Sequence, residues 1–172
     1  AYVMPEHVLV VGAGNTAVDA ATQARRLGAK HVAFVYRRGP DDVSAYAYEM
    51  ERARNDGCAF YFWSTPTAIV VEGNHVKALT VKGPDGERTL PAGLIIKAIG
   101  QEKRVSALQS FGVKVDDKGR VVVDAHNQTS NPKVWAGGDC VNGGKEIVNA
   151  AADGKRAALA IHARFSTASP TA

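Results

Sequence analysis

Gly12-Ala13-Gly14-Asn15-Thr16-Ala17 reads G-x-G-x-x-A, between a short apolar run and a stretch of helical periodicity. In that setting each small residue has a task. Gly12 permits a tight turn from strand into helix, and Gly14 lets the backbone approach a pyrophosphate with no Cβ in the way. Ala17 allows helix and strand to pack closely. The first N–H groups and the positive end of the helix dipole then face the phosphates. The plain alternative is a glycine-rich turn of the same fold that binds nothing. About twenty positions on, an NAD site carries Asp or Glu for the ribose 2′-OH. This chain has Tyr36-Arg37-Arg38 instead. A carboxylate would repel a 2′-phosphate, whereas guanidinium groups pair with it through charge-assisted, often bidentate bonds. The pattern favours NADPH over NADH, against the alternative of two solvated loop arginines.

No catalytic side chain and no metal ligand stands out. His7, His31, His75, His126 and His162 lack metal-ligand spacing and read as structural or surface residues. Asp19 and Glu49 fall on predicted helices and read as solvated. A stand-alone dehydrogenase would need Tyr-x-x-x-Lys or a His/Asp pair near the nicotinamide, and neither is present: Tyr46 and Tyr48 have no lysine at that spacing. Cys58 and Cys140 lie far apart with no C-x-x-C, which excludes a local zinc ribbon, an iron–sulfur ligand set and a C-x-x-C redox disulfide.

The elements that must position the turn are legible. His7–Val11 is an apolar run suited to a parallel strand buried on both faces. Asn15 to Leu27 carries Ala17, Val18, Ala21, Ala24 and Leu27 at helical spacing and closes on Gly28. His31–Tyr36 is the next strand, so the stretch predicts a βαβ unit. Pro40–Ser44 reads as a loop, with Ser44 capping a helix from Ala45 to about Asn55 that Gly57 ends. Ala59–Trp63 reads as a third strand. Thr67–Glu72, His75–Val81 and Arg88–Leu90, split by turn dipeptides, predict an antiparallel meander. Leu94–Ile99 returns to a buried-strand pattern and runs into Gly100. Beyond Gln101 the sequence predicts a hairpin over Gly112–Asp124, a short strand over Lys133–Ala136 leading to Gly137-Gly138-Asp139, and an alanine-rich helix from about Ile147 to Phe165. Ser166 to Ala172 reads as a frayed tail. The expected class is α/β: a Rossmann-like βαβ NAD(P)-binding domain with an antiparallel meander over residues 1–100, then a second unit over 101–172.

Bulk properties agree. The chain has 172 residues, 45% hydrophobic and 22% charged, with a net charge of +4. That is the make-up of an ordinary globular protein. No apolar run approaches the roughly 18 residues of a membrane span, and no basic-then-apolar leader opens the sequence, so the expected location is the cytoplasm. A scattered basic surplus suits phosphate-bearing ligands but, without a dense Lys/Arg stripe, argues only weakly for nucleic acid, so neither a nucleic-acid nor a membrane partner is expected.

The runs VGAGNTAVDAA, VYRR, LIIKAIGQE, NPKVWAGGD and IVNAAADGKRAA together resemble the pyridine nucleotide–disulfide oxidoreductase superfamily. Within it they are most similar to the glutamate synthase small subunit and the flavin region of dihydropyrimidine dehydrogenase. The resemblance covers Val8 to Phe165. It implies that Gly12–Ala17 holds the NAD(P)H phosphates, that Arg37 and Arg38 read the 2′-phosphate, and that Gly100 closes a strand near the nicotinamide. It further implies that Gly138 and Asp139 belong to a late FAD motif, with Asp139 a buried carboxylate accepting ligand hydroxyls. The helix starting near Ile147 and Val148 would face the pyrimidine end of the isoalloxazine. Residues 101–172 would then be the C-terminal portion of an FAD-binding domain. Hydride would pass from nicotinamide C4 to flavin N5, and electrons would leave to an iron–sulfur domain or partner subunit. The FAD adenosine half needs its own glycine turn, which this chain lacks, so the sequence reads as a fragment with an incomplete FAD site. The alternative reading is an isolated nucleotide-binding module without turnover.

Overall fold

Strand β1 (His7–Val11) is central because its side chains alternate between two cores. In the computed structural model, which describes residues 3–166, it pairs in parallel with β2 (His31–Val35) on one side and β7 (Leu94–Lys97) on the other. Strand β3 (Ala59–Tyr61) extends the sheet beyond β2, giving the order β3-β2-β1-β7. Val8, Val10, Val32 and Phe34 pack on one face against helices α1 (Asn15–Arg26) and α2 (Ala47–Asn55), through Ala17, Val18, Ala21, Met50 and Ala53. Leu9, Ala33 and Val35 pack on the other face against Leu79, Val81, Leu90 and Ala92. Those residues come from the meander and the residue that follows it. The meander strands are β4 (Thr65–Glu72), β5 (His75–Gly83) and β6 (Gly86–Pro91), which pair in the order β4-β5-β6. The period of two along β1 and β2 thus serves two layers at once, which is why both strands read as unbroken apolar runs.

Several boundaries depart from the sequence expectation. β2 stops at Val35 and β3 at Tyr61, because the backbone of Tyr36 and Arg38 turns to pair with that of Tyr61, Trp63 and Ser64. Ser44 does not cap α2. The helix begins two residues later with Tyr46 at its N-cap, and the Tyr46 N–H donates to Asn15 Oδ1 at 3.1 Å. β7 covers only four residues at the sheet edge, and Ile99 is exposed, so Leu94–Ile99 is not the fully buried strand expected. β4 is exposed along its whole length and carries register irregularities at Pro66/Ala68 and Val70/Val71.

Arg25 joins the C-terminal ends of the two helices. Its Nε donates to Asp56 O at 2.8 Å, and one terminal nitrogen donates to Ala29 O at 2.9 Å and Lys30 O at 2.5 Å. Gly28, at φ +104, ends α1 in the expected way. Burial pushes the Cys58 thiol up from its usual range, against the opposing charge of Arg25.

Contacts divide the chain after Gln101. The second unit opens with α3 (Val105–Ser110), a helix the sequence did not announce because it has no side-chain cap and no residue buried in the core. Gly112–Asp124 does form a turn at Asp117-Lys118-Gly119, with Asp116 and Arg120 bonded across it. The hairpin and the short strand near Trp135 amount to the isolated bridges Val115–Val121, Val123–Thr129 and Gln128–Trp135, not full strands. Helix α4 (Asp139–Asn142) is short, and α5 (Ile147–Ser166) is long. Ser166 is the last helical residue, and the rest of the expected tail, 167–172, lies outside the described residues.

Candidate functional site

The register of the parallel sheet gathers the candidate residues of the first unit. Val11 lies opposite both Val35 and Lys97, and Val35 lies opposite Tyr61. The segments after β1, β2, β3 and β7 therefore leave the same C-terminal edge, where open α/β sheets bind ligands. They carry Gly12–Asn15, Arg37-Arg38, Trp63 and Gly100.

Gly12 has φ +130, and a Cβ there would stand 2.1 Å from Ala98 O, so only glycine fits. Its N–H donates to Val35 O at 3.0 Å, while Ala98 N–H donates to Val11 O at 2.8 Å, fixing the turn between β2 and β7. Helix α1 begins on Gly14 with no side-chain cap. Ala17 and Val18 donate back to Gly14 O, at 2.9 and 3.1 Å. The N–H groups of Asn15 and Thr16 are thus left without intrahelical partners, at the positive end of a 12-residue helix. The other motif residues divide their labour. Ala17 is fully buried in the helix–sheet seam, as a close-packing residue should be. Ala13 is buried, and its carbonyl accepts from Ala45 N–H at 3.2 Å. The Asn15 side chain is occupied by Tyr46, so only its backbone faces the site. Thr16 is exposed.

Arg37 and Arg38 are exposed, and neither guanidinium has a hydrogen-bond or ion-pair partner among the described residues. The backbone beneath them is tied down. Tyr36 hydroxyl donates to Asp42 O at 2.7 Å, Gly39 N–H to an Asp42 carboxylate oxygen at 3.4 Å, and Trp63 N–H to Arg38 O at 3.0 Å. Gly100, at φ +87, is exposed with open space on its Cβ side. Sequence reasoning passed over Trp63: nothing in Phe62-Trp63-Ser64 signals a positive φ, yet Trp63 has φ +48.

In the second unit the carboxylate that was expected to be buried is exposed. Asp139 is the first residue of α4, and Gly138 (φ +71, ψ −148) turns the chain outward just before it. The enclosed carboxylate is Asp153, on α5. One of its oxygens accepts from Gly138 N–H at 2.9 Å and the other pairs with Arg156 at 2.5 Å. The Gly138 N–H, with the Arg156 guanidinium, holds the Asp153 carboxyl below the usual carboxylate range. Arg156 Nε donates to Asn127 Oδ1, and Asn127 Nδ2 to Ala136 O, both at 2.8 Å. A Cβ on Gly137 would sit 2.7 Å from the Asp153 Cβ, so the paired glycines exist to dock this turn on α5. Ile147 and Val148, at the start of α5, are exposed. Asp153 was legible only as a helical residue, because nothing in the sequence links it to Gly138 fifteen positions earlier.

Among the described residues no group of three or more His, Cys, Asp and Glu could hold a metal ion, and no helix is long and apolar enough to cross a membrane. The family model for pyridine nucleotide-disulphide oxidoreductases matches residues 1–154. The chain belongs to the pyridine nucleotide-disulphide oxidoreductase family. Members of this family are flavoprotein oxidoreductases that use FAD and a pyridine nucleotide. Among its relatives, the chain is 35% identical to the glutamate synthase [NADPH] small chain of Escherichia coli, over 89% of this chain and 37% of that protein. It is 36% identical to the NAD-dependent dihydropyrimidine dehydrogenase subunit PreT of the same organism, over 92% of this chain and 37% of that one. The crystal structure of T. acidophilum thioredoxin reductase, 25% identical in sequence, matches with a TM-score of 0.82 over 92% of this chain and 52% of its own. The chain thus spans well under half of the two relatives and about half of the solved structure.

Proposed function

We propose that this chain carries the NADPH site, and part of the FAD site, of a flavin-dependent oxidoreductase resembling the glutamate synthase small subunit. One observation carries the reading. An uncapped helix N-terminus and two unpaired guanidinium groups leave the same edge of the parallel sheet, one strand apart. The backbone of Gly12 to Thr16 would bind the pyrophosphate, Ala17 would keep the helix close enough to do so, and Arg37 with Arg38 would take the 2′-phosphate. Gly100, bare on its Cβ side, would leave room beside the nicotinamide. Similarity alone does not decide the nucleotide, because one relative is described as NADPH-dependent and the other as NAD-dependent. The preference rests on the arginines.

On this reading residues 1–100 form the NAD(P)H-binding domain and 101–172 the C-terminal portion of an FAD-binding domain. Of the residues expected to hold that group, Asp139 is exposed and free to accept a ligand hydroxyl, while Gly137 and Gly138 are packed on α5 and would serve by setting the turn that presents it. The backbone at Ile147 and Val148 would face the flavin ring. FAD, when bound, supplies the acceptor for hydride. The chain's own part is to orient nucleotide and flavin, which demands no acid/base pair. Onward transfer to an iron–sulfur domain or partner subunit would lie in segments of the whole protein beyond this span. Both relatives' names describe one chain of a larger assembly, which supports that placing. Both cysteines are free, which supports a reducing, cytoplasmic setting.

The test is the pair Arg37→Ala and Arg38→Ala. Each charge-assisted bond contributes roughly 1.5–3 kcal/mol. The double variant should therefore weaken NADPH binding by at least about 100-fold while moving NADH by less than about threefold. Equal losses for both nucleotides, read by calorimetry, would overturn the assignment. A colourless purified chain that NADPH nevertheless stabilises against heat would mark this span as a binding module that needs the rest of the protein for turnover.

A further inference from the structure

Trp63 is the one feature of the sheet edge that neither packing nor the motif explains. Its φ of +48 is a conformation that bulky residues avoid, and such outliers persist where the surroundings hold them and collect at ligand sites. Here the surroundings are explicit. Trp63 N–H donates to Arg38 O and Ser64 N–H to Tyr36 O, at 3.0 and 2.9 Å, clamping the indole beside the arginine loop. One edge of the ring rests on Gly39, where a Cβ would approach Cζ2 to 3.0 Å. Phe62 meets the ring in a T-shaped contact, with centroids 6.2 Å apart. The residue is still 56% exposed. A tryptophan forced into a strained backbone and then left open to solvent is not there to fill a core.

Its place in the sheet gives it an occupant. The uncapped helix end follows β1, the arginines follow β2 and Trp63 follows β3, on consecutive strands about 4.8 Å apart. A 2′-phosphorylated adenosine diphosphate presents pyrophosphate, 2′-phosphate and base in that same order. We propose that the exposed indole of Trp63 is the stacking platform for the adenine ring, making it a specificity-determining residue for the adenosine end of the nucleotide. The proposal rests on the NADPH reading above. Indole faces accept purines without hydrogen bonding, so the platform holds the base while Arg37 and Arg38 read the phosphate.

Calorimetry on the whole chain with two probes separates these roles: adenosine 2′,5′-bisphosphate, and ribose 2,5-bisphosphate, which lacks the base. Trp63→Ala should weaken the first by about tenfold and leave the second unchanged, and Trp63→Phe should restore most of the loss. An unchanged affinity for the adenosine probe in Trp63→Ala, or equal losses for both probes, overturns the platform. If Arg37→Ala weakens both probes while Trp63→Ala weakens neither, only the platform falls. If the wild-type chain binds neither probe, the NADPH reading falls and the platform with it. Should Trp63→Ala not fold, indole emission decides in the wild-type chain. Quenching by the adenosine probe and not by the ribose probe supports stacking, and its absence refutes it.

Discussion

Gly12 shows how much one missing Cβ can settle. Its φ of +130 and the Ala98 carbonyl 2.1 Å from the place a Cβ would take combine strain with a clash against backbone, which cannot swing aside as a side chain can. Gly12→Ala should destabilise the first unit by on the order of 3 kcal/mol, seen as a lower midpoint in thermal or urea unfolding. Retained stability would mean that β7 yields more readily than its pairing implies. The residue scale is also where sequence reading divides into success and failure. The packing of Gly12 and Ala17 was legible because each acts through a small size that any reader of the sequence can see. Asn15 was not, because its side chain is committed to Tyr46, thirty-one positions on. Asp139 and Asp153 exchanged places for the same reason. Type and local spacing identify a carboxylate beside two glycines, but the partner of Gly138 comes from a helix that only the fold brings back.

Among the elements, helices α1 and α2 were predicted by periodicity, yet what locks their ends together is Arg25. It gives its protons to three backbone carbonyls that the helices and their following turns would otherwise leave unsatisfied. Arg25→Met keeps the apolar stem and removes the donors. It should cost about 2–3 kcal/mol in unfolding free energy and leave NADPH affinity unchanged, because the clamp lies at the opposite end of α1 from the glycine turn. A loss of affinity alongside stability would show that the two ends of the helix are coupled. Strands β1 and β2 were legible because both faces are buried, which leaves an unbroken apolar signature. The second unit was harder to read. Its pairings are single bridges held by Asx-type turns at Asp116 and Asp124, and α3 has no cap or core residue to betray it.

At the scale of the whole molecule, pH acts on the second unit through three of its carboxylates. In the second unit Asp116 is held below its usual range by the backbone N–H and guanidinium of Arg120, Asp124 by the N–H groups of Gln128 and His126, and Asp153 by the Gly138 N–H. Their unfolded values lie near 3.8, above the folded ones. The stability they confer is therefore complete above that pH and is lost as the pH falls through the lower folded values. Each unit carries one tryptophan, Trp63 or Trp135. With Trp63→Phe leaving Trp135 as the reporter, a urea midpoint followed from pH 5 downward should fall steeply below about pH 4, and Asp153→Asn should flatten that fall. A midpoint indifferent to acid would dismiss these turns as stabilising. The meander holds a last consequence. β4 lies at the rim of its sheet with Ile69, Val70 and Val71 bare to water, the kind of edge on which identical chains can zip together into fibres. Pro66 has no N–H to offer such a partner, and the two slips in register break the straight row of donors and acceptors a second copy would need. The irregularity of this strand is thus a form of protection, keeping an apolar rim from becoming a template.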